Sequence, residues 1–430
     1  MIRAKKTILA ALAVVFFTGN LYSQERMMTL DELLAQADSG SVALRVARSG
    51  VEAAREAAVG ADRATLLPDL SLSATVGYLG DGYGWGRDSS YSFPVPMPHF
   101  STRFGLAAQQ VIYAGGAMQS ARRQAELGVR MEELGYEQRR QDVRLQLVGY
   151  FLDLYRAQRQ LEVYDSNLAL TQRVIADLRA KHEQGTALKN DLTRYELQLA
   201  TLQTQRTSVE NNLRITNSRM VTLAGLSQGT RIVPAVDDEL NGDAVSADAL
   251  PLAVQMAETK SNMAEVQMEK SRAALLPYVA LVAQDQLEGP VTIDITPYDI
   301  NYNYWFVGIA LKYDISSLWK NNREVRAARL RHEQARLERQ DAEEQMAQTL
   351  SAARIHLDEA VSNHAVKQQS LQLATENYNL VADRYENDLA LLVDMLDASN
   401  QKLSAELDLI AARLTVVYNQ YLIQYLNGKL

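Results

Sequence analysis

Arg63-Ala64-Thr65-Leu66-Leu67-Pro68 returns as Arg272-Ala273-Ala274-Leu275-Leu276-Pro277, about 209 residues later. Each copy closes a helix-like stretch. Each is followed by the same succession: an alternating strand, a loop, a second strand and a very long helical stretch. A repeat of this length marks a duplicated structural unit, not a solenoid of modules of about 20 to 50 residues. The chain is accordingly read as a leader (residues 1–23), a first repeat (24–226), a polar linker rich in Asp and Gly (227–251) and a second repeat (252–430).

Within the first repeat, Leu70, Leu72, Ala74, Val76 and Tyr78 fall on one face of a strand and Ser71, Ser73, Thr75 and Gly77 on the other. Residues 101–112 alternate less cleanly, with Phe104, Leu106 and Ala108 opposed to Arg103, Gly105 and Gln109. Residues 278–286 and 302–313 repeat the layout, and Trp305, Val307, Ile309, Leu311 and Tyr313 share a face. Two-faced segments of about ten residues are what crosses an outer membrane. A half-buried soluble sheet alternates in the same way, so the pattern leaves both readings open. Residues 79–99 join turn formers to Tyr83, Trp85, Tyr91 and Phe93, which suits a loop at a membrane–water boundary and equally a plain surface loop.

Helix dominates the remainder. Residues 117–184 contain no Pro, and Leu147, Leu154, Leu161, Leu168 and Ile175 are spaced by sevens. Val143, Tyr150, Ala157, Tyr164 and Leu178 fill the alternate seam position, a coiled-coil pattern. After Gly185 a second helix runs back, with Leu192, Leu199, Leu213 and Met220 in one row and Tyr195, Leu202, Val209 and Leu223 in the other. The second repeat predicts a helix over residues 320–387, seamed by Leu350, Leu357, Leu371, Tyr378 and Tyr385 and interrupted by His364. A return helix carries Leu396, Leu403, Ile410 and Val417. An ascending helix of about 68 residues is roughly 100 Å long, and helices of that length project from a sheet rather than fold back within a small domain.

Arg3, Lys5 and Lys6 precede an apolar run over residues 7–18, the form of a secretory signal and too short for a membrane span. No later segment holds some 20 consecutive apolar residues, so no transmembrane helix is expected. The chain has 0 Cys, which excludes disulfides, a thiol nucleophile, thiolate metal ligands and lipidation of a cysteine. A net charge of -8 gives no basic surface for nucleic acid. His99, His182, His332, His356 and His364 lack metal-ligand spacing, and neither a phosphate-binding glycine loop nor a nucleophile elbow is present. An enzyme, a metal site and a cofactor are therefore not expected.

Four strands cannot close a barrel, and an open edge leaves amides unpaired in lipid. If these strands stand in a membrane, the chain must pool them with copies of itself. Two copies would give eight strands and three would give twelve.

The order of these parts resembles the TolC-like outer membrane efflux proteins. The resemblance runs from Thr29-Leu30-Asp31-Glu32-Leu33 to the C-terminus. It is carried by the two Leu-Leu-Pro entries to a strand, the exit Val111-Ile112-Tyr113-Ala114-Gly115-Gly116, Gly185 with Asp191 six residues on, and Leu391-Leu392-Val393-Asp394-Met395-Leu396-Asp397-Ala398. It implies a mainly α protein with a membrane β-barrel portion: a homotrimer whose 12-stranded barrel in the outer-membrane lipid continues as an α-helical barrel in the periplasm. It implies an equatorial region built partly from residues 226–251. It also implies docking to a periplasmic adaptor and, through it, to an inner-membrane transporter that exports small molecules such as drugs and toxic compounds. The outer-membrane component of type I protein secretion shares the fold and stays open as an alternative. So does a periplasmic coiled-coil scaffold with a soluble sheet.

Two interhelical turns match family tips that contact the adaptor: Gln184, Gly185, Thr186, Ala187 and Leu188, and Asn387, Asp388, Leu389, Ala390 and Leu391. The family usually has Gly at both turns, so Asp388 departs from the pattern. Residues of a hairpin tip must turn in any case. Asp394 and Asp397, three apart on one helical face, match residues lining the periplasmic constriction, where threefold symmetry makes rings of carboxylates that favour cations. Asp191 and Tyr385 match positions that hold this end closed. An acid in a first helical turn is favoured by the macrodipole regardless of function. A basic partner expected near the second turn is missing, with Ala390 in that region.

Overall fold

Proline sets the helix-to-strand junctions, because it lacks the N–H that a helix would need and can open a strand. The computed structural model describes residues 25–235, 250–292, 298–387 and 389–430. The leader (residues 1–23), most of the linker (236–249) and Asp388 lie outside the described residues.

The chain begins with β1 (Glu25–Met28), α1 (Leu30–Gly40) and α2 (Val42–Leu66). The first Leu-Leu-Pro leads into β2 (Asp69–Tyr78), a small hairpin of β3 (Gly82–Trp85) and β4 (Ser92–Val95), and then β5 (Phe100–Tyr113). Two helices follow, α3 (Ala117–Glu183) and α4 (Lys189–Leu223), and then β6 (Arg231–Pro234). The second pass consists of α5 (Leu252–Ala273), β7 (Tyr278–Gly289), β8 (Tyr302–Lys312), the short α6 (Ser317–Lys320), α7 (Asn322–Glu386) and α8 (Leu392–Leu426). None of the described helices is long and apolar enough to cross a membrane.

Contacts divide the chain into two units, each drawn from both repeats. One comprises Met1–Ser41, Gln146–Leu240 and His364–Thr415; the other comprises Val42–Leu145, Asn241–Asn363 and Val416–Leu430.

The second unit holds an antiparallel 4-stranded sheet in the order β2-β5-β7-β8. Its register carries the alternation across every strand. Leu72 faces Leu106, Phe104 faces Leu287, Ala283 faces Val307 and Leu281 faces Ile309. Apart from Asp285 and Asn303, which hydrogen-bond to each other at 2.8 Å, the residues on one face are therefore mainly apolar. They are not covered within the chain: Leu72 is 80% exposed and Trp305 75%. The opposite face is polar, with Ser73 Oγ donating to the Gly105 carbonyl, Arg103 3.3 Å from Glu288 and the Tyr304 hydroxyl bonded to Gln286. Further along the same unit, Gln141 is buried and grips the chain end. Its Oε1 accepts from the Leu430 N–H at 2.9 Å and its Nε2 donates to the Gly428 carbonyl at 3.3 Å. Tyr425 donates to Asp142 at 2.8 Å and accepts from Gln138 at 2.9 Å. Burial, reinforced by the Asp142 carboxylate, pushes the Tyr425 phenol up to about 12.

The first unit is built on the helical seams. Leu147, Leu154, Ile175, Leu178, Leu202 and Met220 are all buried, as heptad knobs should be. Thr29 caps α1 in a reciprocal box: its hydroxyl accepts from the Glu32 N–H and its own N–H donates to the Glu32 carboxylate. β1 and β6 pair in parallel, with Arg231 2.8 Å from Glu25. Gly225 turns the chain out of α4 at a φ of 69. A Cβ there would lie 2.1 Å from the Gly40 carbonyl oxygen, so only glycine fits.

Two elements differ from the alternation and heptad expectations. The aromatic loop is folded as the β3–β4 hairpin, with Tyr83 opposite Pro94 and Trp85 opposite Ser92. The helix expected to start at residue 320 starts instead at Asn322, behind the separate turn of α6. The α7 seam of Leu350, Leu357, Leu371 and Tyr378 is only half-buried. A second apolar stripe on the same helix, Ile355, Val366, Leu373 and Leu380, stays exposed.

Candidate functional site

The ends of the two long hairpins lie in the first unit. At the first, α3 closes with Gly185 in the left-handed region at a φ of 78. The Gly185 N–H donates to the His182 carbonyl at 3.0 Å and the Thr186 N–H to the Lys181 carbonyl at 2.9 Å. This Schellman pair satisfies carbonyls that a helix end otherwise leaves open. Nothing lies within 4 Å of a Cβ placed on Gly185, so the backbone angle and not crowding demands glycine. The Thr186 hydroxyl also bonds to the Lys181 carbonyl, and His182 Nδ1 bonds to the Ala187 carbonyl at 2.9 Å. At the second tip the Leu389 N–H donates to the Arg384 carbonyl at 2.8 Å, the same six-to-one bond. Asn387 secures the turn by donating from its side chain to the Asp383 carbonyl. Asp388 lies outside the described residues.

Both tips present leucine to solvent: Leu188 is 70% exposed, Leu389 76% and Leu391 70%. Behind them the hairpins share one apolar cluster of Ile175, Leu178, Tyr195 and Leu392, with Ala187, Leu192, Tyr385 and Leu396 packed around it. Tyr385 is thus a packing residue of the tip. Lys181 lies with its ammonium 5.4 Å from the Tyr385 ring centroid and 3.0 Å from Asp177, an arrangement in which the cation meets the negative face of the ring. Gln198 donates to Asn400 at 2.7 Å between the hairpins. Burial raises the Tyr195 phenol well above its ordinary value, and the nearby Tyr385 and Tyr378 phenols add to the shift. Tyr195 therefore stays neutral at physiological pH.

Asp191 sits in the first turn of α4, half-buried, one position before Leu192 of the shared cluster. Asp394 and Asp397 are both exposed in the opening turns of α8. Asp394 also acts locally, since its Oδ2 accepts the Leu391 N–H at 3.2 Å, reaching back over the first turn as one half of a capping box does. Asp397 Oδ2 accepts from Gln401 at 3.0 Å. Neither carboxylate is balanced by a salt bridge among the described residues, so both present negative charge to solvent. Lys181 belongs to this site without any mark in the sequence, and Tyr195 is marked there only as a seam residue. Lys181 follows Asp177 by one helical turn, which is the spacing of a solvated ion pair and discloses nothing of the ring it covers.

The one-sided apolar sheet and the long helical hairpins together define a membrane channel protomer. Residues 33–226 and 246–427 match the family of outer membrane efflux proteins, and the chain belongs to that family. It is an outer-membrane protein and not an enzyme. The outer membrane efflux protein BepC of Brucella suis biovar 1 (strain 1330) is 19% identical over 334 residues, spanning 76% of this chain and 72% of BepC. The structure of the outer membrane protein VceC of Vibrio cholerae superposes with a TM-score of 0.77 at 15% identity, covering 93% of this chain and 96% of VceC. The outer membrane channel CmeC of Campylobacter jejuni gives 0.76 at 16% identity, covering 93% and 86%. The fold is held at identities this low because seams, alternation and turns constrain residue type far more loosely than identity.

Proposed function

We propose that three copies of this chain form the outer-membrane duct of a tripartite export system, which passes small molecules such as drugs and toxic compounds from a periplasmic adaptor and inner-membrane transporter to the outside. The observation that carries this reading is the sheet: mainly apolar and uncovered on one face, mainly polar on the other, and open at β2 and β8. Open edges are not tolerated in lipid, and three 4-stranded sheets supply the twelve strands of a closed barrel. The exposed stripe of Ile355, Val366, Leu373 and Leu380 on α7 supports a partner of the same kind along the helices.

In this duct the duplicated repeats (24–226 and 252–430, joined by 227–251) each supply one strand pair and one helical hairpin. The tips around Gly185 and Asp388 contact the adaptor, with Leu188, Leu389 and Leu391 as apolar anchors. Asp394 and Asp397 form carboxylate rings at the periplasmic constriction, while Asp191 and Tyr385 help to hold it closed.

The first test is physical state. The duct requires a heat-resistant trimer in the detergent extract of outer membranes. A water-soluble periplasmic monomer would instead make the protein a coiled-coil scaffold.

A further inference from the structure

We propose that the junction of β8 with α7 is a binding site for anionic phospholipid headgroups of the periplasmic membrane leaflet. The proposal rests on the reading that the sheet stands in the outer membrane. Along β8 the exposed apolar face carries Ile309 and Leu311, and the chain continues with exposed Tyr313 and Ile315. Trp319 on α6 follows, 65% exposed. Then come exposed Lys320, Arg323, Arg326, Arg329 and Arg331, with Glu324 as the lone acid among them. Arg323 and Arg326, three apart on α7, share one side of that helix. Aliphatic, then aromatic, then cationic is the order in which a leaflet presents acyl chains, interface and phosphate.

The arginine charges on this junction are uncommitted, while Lys320 interacts electrostatically with the Asp314 carboxylate. Among the described residues no ion pair engages Arg323, Arg326, Arg329 or Arg331, whereas farther along α7 Arg336 meets Glu333 and Arg339 meets Glu343. Asp314 does not neutralise them. Its carboxylate accepts both the Ser316 N–H at 3.0 Å and the Ser316 hydroxyl at 2.7 Å, and that hydroxyl bond is the main reason its acidity is increased. The equivalent junction of the first repeat is built otherwise. Arg122 is 2.5 Å from Asp62 and Arg123 2.9 Å from Glu269, so its cations are already satisfied inside the protein. Only the second junction keeps a row of guanidinium donors suited to phosphate oxygens.

The test uses the full-length protein in nanodiscs of phosphatidylethanolamine with a minority of phosphatidylglycerol, with retained lipid counted by native mass spectrometry. The wild type is expected to retain phosphatidylglycerol above its bulk share. R323Q/R326Q should lose that enrichment by about fivefold for each arginine removed, while R214Q/R219Q on α4 leaves it intact. Equal enrichment in wild type and R323Q/R326Q overturns the proposal. So does loss of enriched lipid to inorganic phosphate at matched ionic strength, which would mark a free-anion site. Dissociation of R323Q/R326Q into monomers with lipid retention unchanged also overturns it, since the arginines would then face a second copy. A wild-type chain that never enters the discs overturns the membrane reading and this proposal together. Insertion without lipid preference overturns the proposal alone.

Discussion

Asp394 combines two roles that a single substitution confounds. It carries charge, and it caps the start of α8 through the Leu391 N–H at 3.2 Å. Alanine removes both, at a capping cost of about 1 kcal/mol per helix. Asparagine keeps an acceptor oxygen and removes only the charge. For a trivalent cation about 5 Å from one carboxylate in a water-like medium, the Coulomb attraction is about 2.5 kcal/mol, and physiological salt screens it to about half. That corresponds to about tenfold in a blocking constant for each carboxylate. In planar bilayers D394N/D397N should therefore weaken block by hexamminecobalt at least tenfold and raise conductance for anions, with the helix start intact. D394A adds fraying of the tip, visible as faster amide exchange at residues 391–394, without a larger change in block than D394N. Block unchanged in D394N/D397N would refute the placement of these carboxylates at the constriction. A change in D394A that D394N does not share would assign the effect to the cap.

G185A forces a Cβ into the left-handed region and should cost about 1 kcal/mol, read as faster amide exchange confined to residues 181–188 with the melting temperature nearly unchanged. G225A is harsher, because its Cβ meets the Gly40 carbonyl at 2.1 Å; backbone must move, and a loss of at least about 2 kcal/mol is expected in chemical denaturation. L389D/L391D should weaken crosslinking to the adaptor several-fold while leaving the trimer band on gels unaltered. Y425F gives up bonds to Asp142 and Gln138 and should lose about 1 to 2 kcal/mol at neutral pH. The Tyr425 phenol is raised from 10.0 to about 12, so its contribution is complete below pH 10 and disappears as pH rises through 12. The stability gap between wild type and Y425F should close over that window in alkaline titrations followed by circular dichroism.

The long-range plan of this chain is legible because it rests on periodicity. Leu147, Leu154 and Ile175 lie in the core as their spacing requires, and the alternation of β2 and β8 is kept in pairs such as Leu72 with Leu106 and Leu281 with Ile309, though Trp305 meets Asp285. Elements of four residues carry too few periods to register, which is why β3, β4 and the parallel pair β1–β6 leave no trace in the pattern. The α7 seam reads weakly because the helix bears two apolar rows. His364 interrupts the packed one and Glu343, seven residues before Leu350, ends it on the N-terminal side, while the other row is exposed within the chain. At the tips, Gly185 is readable as a turn, since few other residues take that angle. The cluster behind it is not, because Tyr195 and Leu392 are 197 positions apart in sequence and meet only once two hairpins lie together.

The β5–β7 ladder joins the last strand of one repeat to the first strand of the next. Closure of β8 upon β2 of another copy would be a joint of the same kind, made between chains instead of within one. A ring assembled this way has a backbone that repeats six times and side chains that repeat three times. Gene duplication in such a ring fuses neighbours without altering the pore, and it frees alternate positions to diverge. The tip glycine, the carboxylate pair and the unpaired arginines each occur in one repeat only. In such a ring each property would be delivered three times around the axis, interleaved with a set of scaffold positions that do not share it.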